Sequence, residues 1–193
     1  GKPYDWDHRT GLARRVVPGQ PNGMYTLTGL AHDRLSHVAY DPEINQEGLR
    51  HRSLKLAAFQ KTLKPPPLYG DEEGEILVVG WGSTKGTIEE AVDRLRRDGR
   101  KVGAMNLRFL QPMASGMGET LGRFDKAMTI ESSWCDNLDD EIVDGDNRRF
   151  SALAMMLRAR YLADIECWSE VRGQPIKPGT IARVVEDRLQ RGA

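Results

Sequence analysis

The residues best placed to do chemistry form one short stretch, Val79-Gly80-Trp81-Gly82-Ser83-Thr84-Lys85-Gly86. A glycine-rich turn between a predicted strand and a predicted helix gathers backbone amides and a helix N-terminus at one point, where a phosphate or carboxylate can sit. Gly82, Ser83 and Thr84 are therefore the candidate anion-binding residues. The spacing of Gly80, Gly82 and Gly86 is close to a dinucleotide fingerprint. Arg108 ends the next predicted strand about twenty residues on, where an NADP enzyme can place a ligand for the 2′-phosphate. The fit is imperfect, because the bulky Trp81 separates the first two glycines and Gly86 falls one position late. Glycines also collect at tight strand-to-helix turns for geometric reasons alone. A structural turn and an anion or nucleotide site both stay open.

Other reactive residue types are sparse. His8, His32, His37 and His51 all precede residue 64. His32 and His37 miss the i, i+4 spacing of a helical metal pair, and His51 is far from both in sequence, so the spacing offers no interpretable ligand set. They read as polar surface or interface residues. Cys135 and Cys167 are widely separated and belong to no Cys-x-x-Cys pair, which argues against a cysteine-ligated zinc or iron-sulfur site within this chain. They read as two reduced cytosolic thiols. Glu131 ends a predicted strand, where ligands bind open α/β sheets. It can orient either a ligand or neighbouring backbone. There is no Gly-x-Ser-x-Gly elbow, no Walker loop and no Gly-Asp-Gly signature of thiamine diphosphate, since Gly145-Asp146-Asn147 lacks the second glycine. No catalytic residue and no metal ligand is assigned.

The elements that must position these residues fall into two parts. Residues 1–64 form an irregular arm followed by a helix. Gly11, Pro18-Gly19, Pro21-Asn22-Gly23 and Gly29 interrupt the arm too often for any long element. Asp41-Pro42 is a good helix start, and Leu49, Leu56, Phe59 and Leu63 recur at helical spacing, predicting one amphipathic helix from Pro42 to Leu63. Its arginines and lysines read as a solvated face. Pro65-Pro66-Pro67 can neither continue a helix nor donate to a sheet, so residues 65–74 read as a linker. From 75 to 193 the pattern is α/β. Strands are predicted at 75–80, 102–107 and 126–131, with a helix at 87–95 and a short helical connection at 121–124. Helices at 150–161 and 178–189 follow. Strand, helix, strand, helix, strand implies a small parallel sheet with flanking helices, joined by right-handed crossovers.

The 193 residues carry 28 Lys+Arg against 28 Asp+Glu. Such neutrality argues against nucleic acid, whose binding domains concentrate positive charge. No apolar run approaches the roughly 18 residues of a membrane helix, so the chain reads as soluble and cytoplasmic, with no membrane partner. It opens at Gly1, its first methionine is Met24, and its start has neither the basic nor the apolar region of a signal peptide. A processed chain or a part of a longer one is expected.

Six segments together carry a family resemblance. They are Arg9-Thr10-Gly11-Leu12-Ala13-Arg14-Arg15-Val16-Val17-Pro18-Gly19, Thr28-Gly29-Leu30-Ala31-His32-Asp33, the turn from Val78 to Gly86, Leu107-Arg108-Phe109-Leu110-Gln111-Pro112, Arg123-Phe124-Asp125-Lys126 and Gly173-Gln174-Pro175-Ile176-Lys177-Pro178. In that order they resemble the C-terminal part of the alpha subunit of 2-oxoacid:ferredoxin oxidoreductases, with the 2-oxoglutarate enzymes as the nearest subgroup. The arm departs from the family pattern, with Thr10-Gly11-Leu12-Ala13-Arg14-Arg15 where Asp-Gly-Ile-Ser-Pro-Arg is usual. The resemblance implies a transketolase C-terminal-like domain over 75–193, preceded by the tail of a pyrimidine-type domain. It implies oxidative decarboxylation of a 2-oxoacid with coenzyme A to an acyl-CoA and CO2, with electrons passing to ferredoxin. Thiamine diphosphate, Mg and a [4Fe-4S] cluster are then expected in the complex, bound mainly by the beta subunit, and none in this chain alone. The expected partners are that beta subunit, the rest of the alpha subunit and ferredoxin, assembled as a dimer of αβ units. The share of this segment is mainly structural, and Gly82, Ser83 and Thr84 become a candidate anion or coenzyme A contact. A free-standing NADP-binding module using Gly80, Gly82, Gly86 and Arg108 is the alternative.

Overall fold

A computed structural model describes residues 3–190. The chain divides into two compact units, one of residues 1–64 with 111–114 and one of residues 65–110 with 115–193.

In the first unit the arm is irregular, as its turn formers require, with isolated bridges Trp6–Ala13 and His32–Val38. Helix α1 spans Pro42–Gln60, and the Asp41 carboxylate accepts from the amides of Glu43 (3.0 Å) and Ile44 (3.2 Å). It stops three residues before the predicted Leu63, where the Thr62 hydroxyl and amide both close on the Phe59 carbonyl. Its apolar spacing misleads about burial. Leu49, Leu56 and Phe59 are 50%, 40% and 39% exposed, and the residues the helix buries are Gly48 and His51. Gly48 and His51 are an i, i+3 pair, so the inward stripe is displaced from the leucine stripe.

The second unit is a five-stranded sheet in the order β1-β3-β2-β4-β5. Strand β2 (Gly74–Trp81) lies at its centre, parallel to β3 (Val102–Leu107) and to β4 (Phe124–Glu131). Two edge strands were not legible as such. Leu68–Gly70 forms β1, antiparallel to β3, so the stretch read as a linker contributes an edge. Asp71 holds it there, accepting from the Val102 amide (3.1 Å) and from Arg96 (3.0 Å). Ile165–Ser169 forms β5, parallel to β4. It is five residues long and half polar, too weak a pattern to read alone.

Helices cover both faces. Helix α2 (Lys85–Arg97) and helix α5 (Pro178–Gln190) pack on the face of Ile76, Val78, Val102, Ala104, Met128 and Ile130. Ile88, Ala91, Val92 and Leu95 form the buried stripe of α2, and Ile181, Val185 and Leu189 that of α5, while Val184, expected inward with them, is only partly buried. The opposite face, with Leu77, Val79 and Thr129 fully buried, receives α3 (Met117–Leu121) and α4 (Ala152–Tyr161), both against β4. Phe150, within the helix predicted at 150–161, instead stands before α4, with the guanidinium groups of Arg148 (4.7 Å) and Arg158 (4.4 Å) over its ring. Among the described residues no helix is long and apolar enough to cross a membrane.

Candidate functional site

The glycine turn sits at the carboxyl end of β2, the topological position where open α/β sheets bind ligands. Gly80 ends the strand's buried run. A Cβ there would meet Ile88 Cδ1 at 2.3 Å and Thr84 Oγ1 at 2.7 Å, so this glycine lets α2 close onto the sheet. Gly82 follows with φ +63°, a left-handed conformation that glycine adopts without strain. A single 3-10 turn over Gly82–Thr84 then leads into α2. Thr84 is 5% exposed, and its hydroxyl donates to the Trp81 carbonyl at 2.9 Å. Its side chain therefore closes the turn. Ser83 is exposed.

A groove of about 870 Å³ opens beside this turn, lined by Trp81, Gly82, Lys85, Asn106 and Arg108 among others. Parallel pairing of β2 with β3, with Trp81 opposite Leu107, carries Arg108 to the turn. Of the residues singled out in the sequence, Gly82 and Arg108 thus line one groove, while Gly80 and Thr84 serve the turn. Sequence reading missed Asn106, whose Oδ1 is buried without a hydrogen-bond partner, and Lys85, which pairs only loosely with Glu89 at 3.7 Å. Two cations, an amide and a left-handed glycine at a helix start can hold an anion.

Glu131 resolves differently. It is 0% exposed, and its carboxylate accepts from Thr129 Oγ1 (2.8 Å), Ser133 Oγ (2.7 Å), Ser151 Oγ, and the amides of Leu153 (3.0 Å) and Ala154 (3.1 Å). Burial alone would raise its carboxyl, but the hydrogen bonds from Ser151, Leu153, Ser133 and Thr129 outweigh it and hold the group below the usual range. It is a remote N-cap for α4, orienting backbone and not ligand. Asp136 is held lower still by Arg149, whose side chain and amide both donate to it.

Two groupings were invisible in sequence. The free thiols of Cys135 and Cys167 lie close enough to perturb each other's titration. Their interaction pushes Cys135 up and draws Cys167 down to about 6, with Arg148 adding its positive charge nearby. In the first unit the ligand atoms of His8, Glu47 and His51 all lie within 4.8 Å of one another. The i, i+4 spacing of Glu47 and His51 was the available signal.

Comparison with known proteins places these features in context. Residues 74–142 match the family model described as pyruvate:ferredoxin oxidoreductase core domain II. The 2-oxoglutarate oxidoreductase subunit KorA of Mycobacterium tuberculosis is 29% identical over 192 residues, 97% of this chain and 26% of that protein. The alpha subunit of 2-oxoacid:ferredoxin oxidoreductase 1 of Aeropyrum pernix is 34% identical over 131 residues, 64% of this chain and 20% of that protein. The chain thus spans about a quarter or less of these curated relatives (26% and 20%). Among solved structures, the 2-oxoglutarate:ferredoxin oxidoreductase of Magnetococcus marinus, with 2-oxoglutarate, coenzyme A and succinyl-CoA bound, shares the fold at a TM-score of 0.72. Its identity is 24%, over 96% of this chain and 30% of that chain. The resemblance carried by the six segments and the α/β fold expected from it are both borne out.

Proposed function

We propose that this chain is the C-terminal part of the alpha subunit of a 2-oxoacid:ferredoxin oxidoreductase, 2-oxoglutarate being the favoured substrate. The observation that carries the reading is the alignment of 97% of the chain with one such subunit, together with the family match over β2, β3 and β4. The whole enzyme would decarboxylate the 2-oxoacid with coenzyme A to an acyl-CoA and CO2 and pass the electrons to ferredoxin, in the cytoplasm. Thiamine diphosphate, when bound, supplies the carbanion chemistry. Among the described residues the two buried carboxylates, Glu131 and Asp136, are committed to donors within the chain. Thiamine diphosphate, Mg and the [4Fe-4S] cluster would reside mainly on a beta subunit. The segment is then an interface-building domain.

Co-expression with the beta subunit and the remaining alpha subunit, followed by affinity capture, tests the assembly. The expected result is a complex that reduces ferredoxin only when both 2-oxoglutarate and coenzyme A are added. A chain that stays monomeric and captures no beta subunit would end the proposal.

Within that reading, the groove at Gly82, next to Ser83 in the chain, holds an anionic group, the phosphates of coenzyme A being the candidate. Lys85 and Arg108 supply the charge. Replacing both Lys85 and Arg108 by glutamate should weaken coenzyme A binding to the complex by at least roughly tenfold, since two charge-assisted contacts are each worth about 1.5–3 kcal/mol. Calorimetry reads the change, and undiminished affinity removes the groove from the site. Parallel titration with NADPH separates the dinucleotide alternative, which requires saturation by that cofactor.

A further inference from the structure

Of the features that the proposed function leaves unused, the cluster in the first unit is the most demanding physically. His51 is 1% exposed, yet neither Nδ1 nor Nε2 has a hydrogen-bond partner. Its ring packs at 4.6 Å against that of Trp6 and at 5.8 Å from that of His8. A buried imidazole ordinarily finds a partner for at least one nitrogen. Glu47 lies one turn earlier on α1, on the same face, and His8 approaches from the arm.

We propose that His8, Glu47 and His51 form a binding site for a divalent transition-metal ion such as Zn2+, joining the irregular arm to α1. Two imidazoles and one carboxylate are a donor set that suits zinc and its first-row neighbours, with a fourth position left for water or a partner group. Tetrahedral ligands about 2.1 Å from the metal stand about 3.4 Å apart, so atoms within 4.8 Å need only small side-chain rotations to close. Desolvation lowers the pKa of His51.

Arg34 is the gatekeeper of this site. Its guanidinium donates to Glu47 at 2.7 Å and stands 3.4 Å from His8 Nε2. A metal ion must displace it, and Asp5, already 3.8 Å from the same guanidinium, offers it an alternative counter-ion. Metal binding therefore competes with Arg34 for the Glu47 carboxylate.

Isothermal titration of the purified, metal-stripped chain with Zn2+ tests this, with Co2+ absorption as a second readout. One ion per chain is expected. Binding should weaken by at least roughly tenfold in His8→Ala and Glu47→Gln and tighten in Arg34→Gln. His8 is exposed, so its replacement leaves the fold intact even if His51→Ala unfolds the unit. His37→Ala, which removes the exposed His37–Asp33 pair, should leave binding unchanged. Substoichiometric uptake, undiminished affinity in His8→Ala and Glu47→Gln, or loss of binding in His37→Ala would each overturn the assignment.

Discussion

Replacing Glu131 by glutamine is expected to lower the stability of the sheet unit by about 3 kcal/mol at pH 7, because a buried charged acceptor serving several donors is removed while the donors remain. The amide brings an NH2 to a place where the Leu153 and Ala154 amides and the Thr129, Ser133 and Ser151 hydroxyls all point. It also removes the negative charge that faces the positive end of α4. Thermal unfolding should fall by roughly 10 °C. The pH dependence has a definite sign. The folded carboxyl titrates below its unfolded counterpart, so its contribution is complete above the unfolded value of about 4.3. That contribution disappears as pH falls through the folded value. Parent and variant should therefore differ most near neutrality and converge in acid. Denaturant titrations at pH 7 and in acid make the comparison, and equal stability at pH 7 would show that the carboxylate does not hold α4.

A second large loss is expected from Ile181→Ala. Ile181 is fully buried where α5 meets α2 and the even-numbered face of β2. Truncation removes its transfer energy and leaves a cavity that two helices and a sheet cannot readily close, costing about 3–4 kcal/mol. The urea midpoint should fall with an unchanged slope, since the surface exposed on unfolding stays the same. Ile142→Ala is the matched control. That side chain is 85% exposed, and its removal should change stability by less than about 0.5 kcal/mol. Similar losses in the two variants would mean that α5 is not docked as described.

Both predictions rest on residues whose visibility in the sequence differed. The inward stripes of α2 and α5 and the central strands β2, β3 and β4 were legible because each buries a face continuous along the chain. Hydrophobic periodicity records such burial directly. The leucines of α1 obey the same period without being buried, since periodicity reports that a stripe exists and not what covers it. Strands β1 and β5 escaped notice because edge strands need only one partner and few apolar residues, and their pairing with β3 and β4 is a property of register.

The site divides along the same line. The sequence alone determined the α/β class, the glycine turn after the central strand and the family likeness, all of which depend on residues close together in the chain. Only the tertiary structure decided that Glu131 caps a helix more than twenty residues away. It alone decided that Arg108 shares a groove with Gly82 while Thr84 is consumed by the turn, and that His8 lies near Glu47 and His51. Each of these contacts is fixed by strand register or helix docking, which sum the packing of many residues and leave no trace in the local spacing of any few.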